Sequence, residues 1–370
     1  MKKVLKLRRL RLLLLVPAAF FATLFASRHQ AAAEWYARHP YAALSRAGNA
    51  VTGLAPFSVG ELLVFLLAAA LVILVARLVA RLARGKGRRA EIALRFFVNL
   101  LCFAGVLYFI FTVACGINYY RTTFAETCGL PVKPSSTAEL MRLTKSLASD
   151  ANAQRGKVKT DRQGVMELGT QDFSRTARVA KQSFDRLGAE YPLLSPGYGA
   201  PKPVLSSRLM SRCNITGMFF PFTFEANVNT DVPAYTIPVT MCHELSHLRG
   251  FMREDEANFI GYLACEKSDS PDFRYSGTML AFTCASNALL SADEKADAAV
   301  WSGLGAGVRK DLACNSAYWK QFEGPVAKMS DSVNDSYLKA NRQSDGVQSY
   351  GRMVDLLLAL QRKEAASAKK

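Results

Sequence analysis

The chain has 370 residues, 50% of them hydrophobic, and a formal net charge of +17. So much positive charge suggests nucleic acid, but its distribution turns that suggestion aside. Residues 1–117 hold 16 Lys/Arg against three acids, whereas the remaining 253 residues hold 31 Lys/Arg against 27 acids. The excess belongs to the N-terminal third, where it alternates with apolar runs as in a membrane anchor.

Those runs lie at residues 12–27, 62–76 and 96–117. The third is 22 residues long, holds nothing more polar than Asn99, and is long enough to span a bilayer. The second reaches roughly 20 residues when bounded by Ser58 and Val79, with Glu61 and Arg77 close enough to its ends to snorkel. The first is short, basic in front and followed by Ala31-Ala32-Ala33, features shared with a cleaved signal peptide. Because further spans follow and no A-x-A site lies directly behind it, it reads as an uncleaved anchor.

Six Lys/Arg in residues 1–11 and seven in residues 77–95 contrast with three in residues 28–57. By the positive-inside rule the N-terminus and the second basic loop are cytoplasmic, and everything after Asn118 lies outside. The expected division is a membrane anchor over residues 1–117, with transmembrane helices at about 10–28, 58–80 and 95–117. An extracytoplasmic domain over 118–370 follows, on the outer side of the cell membrane.

Within that domain Ser136 or Thr137 caps a helix over 138–151, with Glu139 in its first turn. A loop precedes a second helix over 171–187, and residues 193–203 are rich in Pro and Gly. Residues 215–224 are β-rich and aromatic, and Pro221 demotes them to an edge strand or bulge. Residues 225–229 continue this segment. Further helices are expected at 277–290, 292–301, 310–322, 326–341 and 350–361. The fold class is α+β: a mainly helical domain with a small sheet, preceded by three transmembrane helices. The six outer cysteines form no C-x-x-C pair, so a Cys-based zinc site is not expected. An even number permits disulfides, while Cys242, Cys265 and Cys284 sit in apolar helical contexts that suit buried thiols.

The chemistry concentrates in residues 238–258. His243-Glu244-x-x-His247 places two imidazoles on one face of a helix, where both can hold one Zn²⁺. Glu244 stands beside the metal, where it can take a proton from water. The helix stops near Gly250, a natural C-cap, and a second begins around Arg253–Glu254. The chain has four histidines, and the other two, His29 and His39, fall in the outer loop between the first two spans. The third ligand of a catalytic site is therefore a carboxylate or thiolate, with Glu254 and Glu256 as the near candidates. Tyr235, Tyr262, Tyr275 and Tyr350 are candidates for a hydroxyl that stabilises an oxyanion. Asn341 and Arg352 are candidates to line a cleft.

Glu254-Asp-Glu-Ala-Asn258 resembles the Glu-x-x-Ala-Asp/Asn signature on the second helix of many gluzincin peptidases. The resemblance implies Glu254 as metal ligand and Asn258 as the residue that orients a histidine. Only six residues, 248–253, separate the two helices, fewer than those families use, so Glu256 stays open as the alternative. The wider layout resembles a family of uncharacterised bacterial membrane proteins regarded as zinc peptidases. It consists of three spans, Gly217-x-x-Phe-Pro-Phe222, His243-Glu-x-x-His-x-x-Gly-Phe251, Glu254–Phe259 and the segment 339–351. These likenesses imply a zincin-like domain. The expected function is a membrane-anchored zinc metallopeptidase acting on extracytoplasmic or membrane-proximal proteins, with Glu244 as general base. The lipid bilayer and a protein or peptide substrate are its expected partners, and nucleic acid is not. The alternative is a metal-stabilised membrane sensor or scaffold without activity.

Overall fold

The computed structural model describes residues 8–194 and 197–367. Most of the basic N-terminal run, part of the Pro/Gly-rich loop and the last residues of the charged tail lie outside them. Three helices are long and apolar enough to cross a membrane: Arg9–Arg28, Val59–Arg84 and Arg89–Ala114. The α-helical part of the first is α1 (Leu15–Arg28). Then come α2 (Gln30–Tyr36), a π-turn containing Pro40, and α3 (Ala42–Thr52). The second and third apolar helices are α4 (Val59–Arg84) and α5 (Arg89–Ala114). Ser58 caps α4 by accepting from the Glu61 amide, so the helix starts where its apolar run does.

The rest of the chain carries α6 (Phe124–Cys128), α7 (Thr137–Arg155), α8 (Phe173–Glu190) and β1 (Lys202–Pro203). It continues through α9 (Ser207–Arg212), β2 (Gly217–Phe220), β3 (Glu225–Val228), α10 (Ile237–Leu248) and α11 (Glu254–Glu266). The last helices are α12 (Pro271–Ala292), α13 (Glu294–Ser302), α14 (Ala306–Lys320), α15 (Pro325–Ala340) and α16 (Met353–Ser367). Ser136 and Glu139 form the capping box that starts α7, and Asp172 caps α8. The sheet has the order β1-β3-β2, parallel between β1 and β3 and antiparallel between β2 and β3. Pro221 falls in the turn after β2, so residues 225–229 return as a hairpin partner instead of continuing the first strand. All eight cysteines are free thiols.

The packing does not divide at residue 117. Tyr41, Ala114 and Cys115 belong to the same hydrophobic core as α7, α10, α11, α12 and α16. The segment between the first two apolar helices, read from sequence as an outer loop, is helical and packs against the end of α10. Tyr41 is fully buried, and its hydroxyl donates to the carbonyls of His247 and Leu248 at 3.3 Å each. Glu34 accepts two bonds from Arg121, whose guanidinium stacks 4.0 Å over the ring of Phe251. Asn49 donates to the carbonyl of Phe224 at 2.8 Å and accepts from the Gly199 amide at 2.6 Å.

The sheet grips α4 by a buried ion pair. Glu225 accepts from the Val59 and Gly60 amides at 3.1 and 2.6 Å, and Lys202 stands 2.5 Å from the same carboxylate. Glu61, expected to snorkel, instead accepts from the Leu205 and Ser206 amides. Glu225→Ala strands a buried ammonium and two helix-end N–H groups. It is expected to destabilise the chain by about 3–5 kcal/mol, read as a lowered melting temperature of the detergent-solubilised protein.

Candidate metal centre

The first two ligands follow from the turn that ends α10. Gly250, with φ of 84°, occupies the left-handed conformation that L side chains avoid. Its amide donates to the His247 carbonyl at 2.8 Å and the Phe251 amide to the Ser246 carbonyl at 3.2 Å, a Schellman motif. The same turn delivers the Phe251 carbonyl to the ring of His247, whose Nδ1–H donates to it at 2.8 Å. Nδ1 of His243 stands 2.7 Å from Oδ1 of Asn258 on α11. With a proton on each Nδ1, both Nε2 atoms are left as bare acceptors in the neutral rings.

Those two Nε2 atoms face each other at 3.0 Å. Oε2 of Glu254 lies 3.2 Å from the Nε2 of His243 and 3.5 Å from that of His247. Oε2 is buried and has no hydrogen-bond donor. Three lone-pair atoms at such separations repel unless a cation stands among them. Ligand atoms about 2.0–2.1 Å from one small cation lie about 3.3–3.4 Å apart in a tetrahedron, so the spacing fits a single metal ion. His243, His247 and Glu254 thus form a buried group that can hold a metal ion. The electrostatics agree. Burial disfavours a charged His247, yet the Glu254 carboxylate outweighs it and raises the imidazole to about 9. Burial would raise Glu254, but the two histidines hold it down at about 2. A proton stabilises this cluster, and a divalent cation can take its place.

Glu254 and Asn258 are four residues apart and share one face of α11. Close helix contact aims that face at α10: a Cβ added at Gly261 would stand 3.1 Å from the His243 amide nitrogen. Glu256 points elsewhere. It accepts from the Phe124 amide at 2.8 Å and lies 3.8 Å from Arg253. Burial raises it to about 7, with Arg253 pulling the other way. The alternative third ligand is therefore turned away from the histidines, because half a helical turn separates it from Glu254. His29 and His39 take no part in the cluster found among the described residues.

Glu244 is buried on α10 just outside the three-atom cluster, and its Oε2 has no hydrogen-bond partner. Burial raises its pKa, while His243 and His247 oppose the shift and Glu254 adds to it. Strand β2 crosses directly over this carboxylate. A Cβ on Gly217 would stand 2.4 Å from Oε1 of Glu244, so only glycine lets the strand approach so closely. Among the described residues β2 is an outer strand, paired only with β3. The Asn229 amide donates to the Thr216 carbonyl, and the Val228 carbonyl is used by Val204 on the far side. With that alternation, the peptide groups of Gly217 and Phe219 face the free edge. That edge runs beside Glu244, and the Phe219 amide favours the charged form of the carboxylate.

Three residues near the site had no role in the sequence reading. Tyr119 and Tyr337 share a hydrogen bond at 3.1 Å. Burial raises both hydroxyls well above the ordinary tyrosine value, and the nearby charge of Glu254 adds to the rise. Gln343 accepts from the Glu254 amide at 3.0 Å and so caps α11 from a distant segment. Its signal was present in the 339–351 resemblance, without a role attached. The tyrosines singled out earlier do other work. Tyr275 donates to Asp311 at 2.6 Å, Tyr235 packs against Tyr275, and Tyr262 packs against the core. The side chain of Tyr350 is outside the described set. Arg352 stands against Asp345 at 2.9 Å and Asp255 at 3.8 Å. The carbonyl of Tyr337 accepts from the side chain of Asn341, which is tied to its own helix end.

No curated protein and no solved structure matches the chain. One family model matches residues 36–358 and so takes in the segment bearing Tyr41, the third apolar helix and the whole metal cluster. The chain therefore belongs to the family described as "Protein of unknown function (DUF3810)".

Proposed function

We propose that this protein is a membrane-anchored zinc metallopeptidase whose domain lies on the outer face of the membrane. The observation that carries the reading is a fourth group beside the three ligands. Glu244 is a buried carboxylate with an unpaired oxygen, lying at the free edge of β2. A purely structural zinc site is closed by four protein ligands and has no use for such a carboxylate. Two imidazoles and one carboxylate suit zinc by ligand type and number.

Bound there, zinc supplies Lewis acidity, bringing water toward a neutral pKa and polarising the scissile carbonyl. Glu244 takes the proton from the attacking water and returns it to the leaving amine nitrogen. Its burial suits this exchange, because a raised carboxyl pKa brings the group closer to working pH. Asn258 and the Phe251 carbonyl fix the imidazole tautomers and ring directions. The Gly217 peptide group and the Phe219 carbonyl, on the edge of β2 away from β3, pair with an extended substrate, holding its backbone across Glu244. The distribution of Lys and Arg around the three apolar helices supports the outward placement.

The test uses the full chain in detergent. It is expected to copurify with about one zinc per chain. It is also expected to hydrolyse a random peptide library, to stop when a chelator removes the metal and to resume when zinc returns. A chain that binds no zinc, or that works equally well after chelation, overturns the reading.

A further inference from the structure

The strand over Glu244 ends beside the apolar helices α4 and α5. β2 runs from Gly217, whose Cα faces the Glu244 carboxylate, to Phe220, whose ring lies against Gly60 in the first turn of α4. Beyond it, Pro221 and Phe222 line an apolar cavity of about 250 Å³ together with Leu44 and with Phe109, Ile110 and Val113 of α5. The free edge is thus a short path from the second and third apolar helices to the metal cluster. From Gly217 to Phe220 it spans about 10 Å at roughly 3.3 Å per residue. The anchorage is firm, because Glu225, directly opposite Phe220, holds the first amides of α4.

Resting on the metallopeptidase reading, we infer that the substrates are polypeptides held in the same bilayer by an apolar N-terminal anchor. They are cut a few residues beyond that anchor. Distance sets the spacing. A chain leaving the bilayer near Phe220 and Phe222 and pairing with β2 reaches Glu244 within about four to eight residues. Direction follows from pairing, since antiparallel strands pair slightly better than parallel ones. Because β2 runs from the metal toward the membrane, an antiparallel substrate runs from the membrane toward the metal, with its anchor on the N-terminal side. Water adds across the amide bond, with OH going to the carbonyl carbon and H to the leaving nitrogen. The C-terminal part is then released outward, while the anchored stub keeps the new carboxylate. The Gly217 peptide group and the Phe219 carbonyl read backbone, not side chains, so selection rests on tethering more than on sequence.

The test reconstitutes the full chain in liposomes with reporters that carry one randomised segment. The first reporter has an N-terminal membrane span and a spacer of about six residues, the second a spacer of about thirty, the third the span at its C-terminal end, and the fourth no span. Spanning reporters all share the bilayer, so simple co-localisation raises the first three alike. Expected is cleavage of the first reporter about tenfold or more faster than any other, beyond that shared co-localisation gain, with products mapping about four to eight residues past the span. Equal cleavage of the anchor-free or long-spacer reporter overturns the inference and leaves the peptidase reading intact. Preference for the C-terminal span overturns the stated direction. No cleavage of any reporter by the zinc-loaded chain removes the peptidase reading and this inference with it.

Discussion

Glu244→Gln is expected to keep the metal and lose about 10²–10⁴-fold in hydrolytic rate, the usual contribution of a positioned general base. The amide has nearly the shape of the carboxylate, so the contact beneath Gly217 and the packing of α10 persist. It can neither accept the proton of the attacking water nor return one to the amine. The loss should appear in kcat and kcat/KM together, because the interaction is made in the transition state. Zinc content should be unchanged, since Glu244 stands outside the trio of His243, His247 and Glu254. Full activity in this variant would remove Glu244 from the chemistry. Loss of zinc along with activity would make it a ligand.

The second large effect separates two neighbouring carboxylates. Glu254→Ala removes one of three metal-binding atoms, and zinc affinity is expected to fall by more than the roughly 10–100-fold that loss of an outer partner costs. Glu256→Ala is expected to keep its zinc and to lose about 1–3 kcal/mol of stability, because the buried Phe124 amide is left without an acceptor. Metal analysis and melting temperature on both variants give opposite patterns. Zinc retained in the first variant and lost in the second would reverse the assignment made from the 3.2 and 3.5 Å contacts of Glu254.

Much of this site is legible in the sequence alone. The His-Glu-x-x-His spacing needs only the helical repeat to bring His243 and His247 together, and Gly250 marks the end of that helix by its own conformational freedom. The three apolar helices follow from run length. The third ligand was less legible, because Glu254 and Glu256 both lie in the first turn of α11. Asn258, four residues after Glu254 and thus on its face, was the internal hint. Nothing local announced Tyr119, Tyr337 or Gln343, which come to Glu254 from segments about 135, 83 and 89 residues away in sequence.

The sequence by itself determined the local things: the longer helices after residue 136, the caps at Ser136 and Gly250, which runs are apolar enough for a bilayer, and that two imidazoles share a face, while the helices at 30–36, 42–52, 124–128 and 207–212 went unread. These depend on the period of the helix and on transfer free energy, both of which act over a few residues. Only the tertiary structure decided which face of α11 meets α10, that Tyr41 from between the first two apolar helices is buried against the end of α10, and that β2 lies over Glu244 with one edge free. Those arrangements depend on close contacts between distant segments, such as Gly261 on the His243 backbone and Glu225 on the first amides of α4. The first joins two neighbouring helices across the Gly250 turn and the second joins residues 165 and 166 positions apart, so neither is a property of one helix or strand.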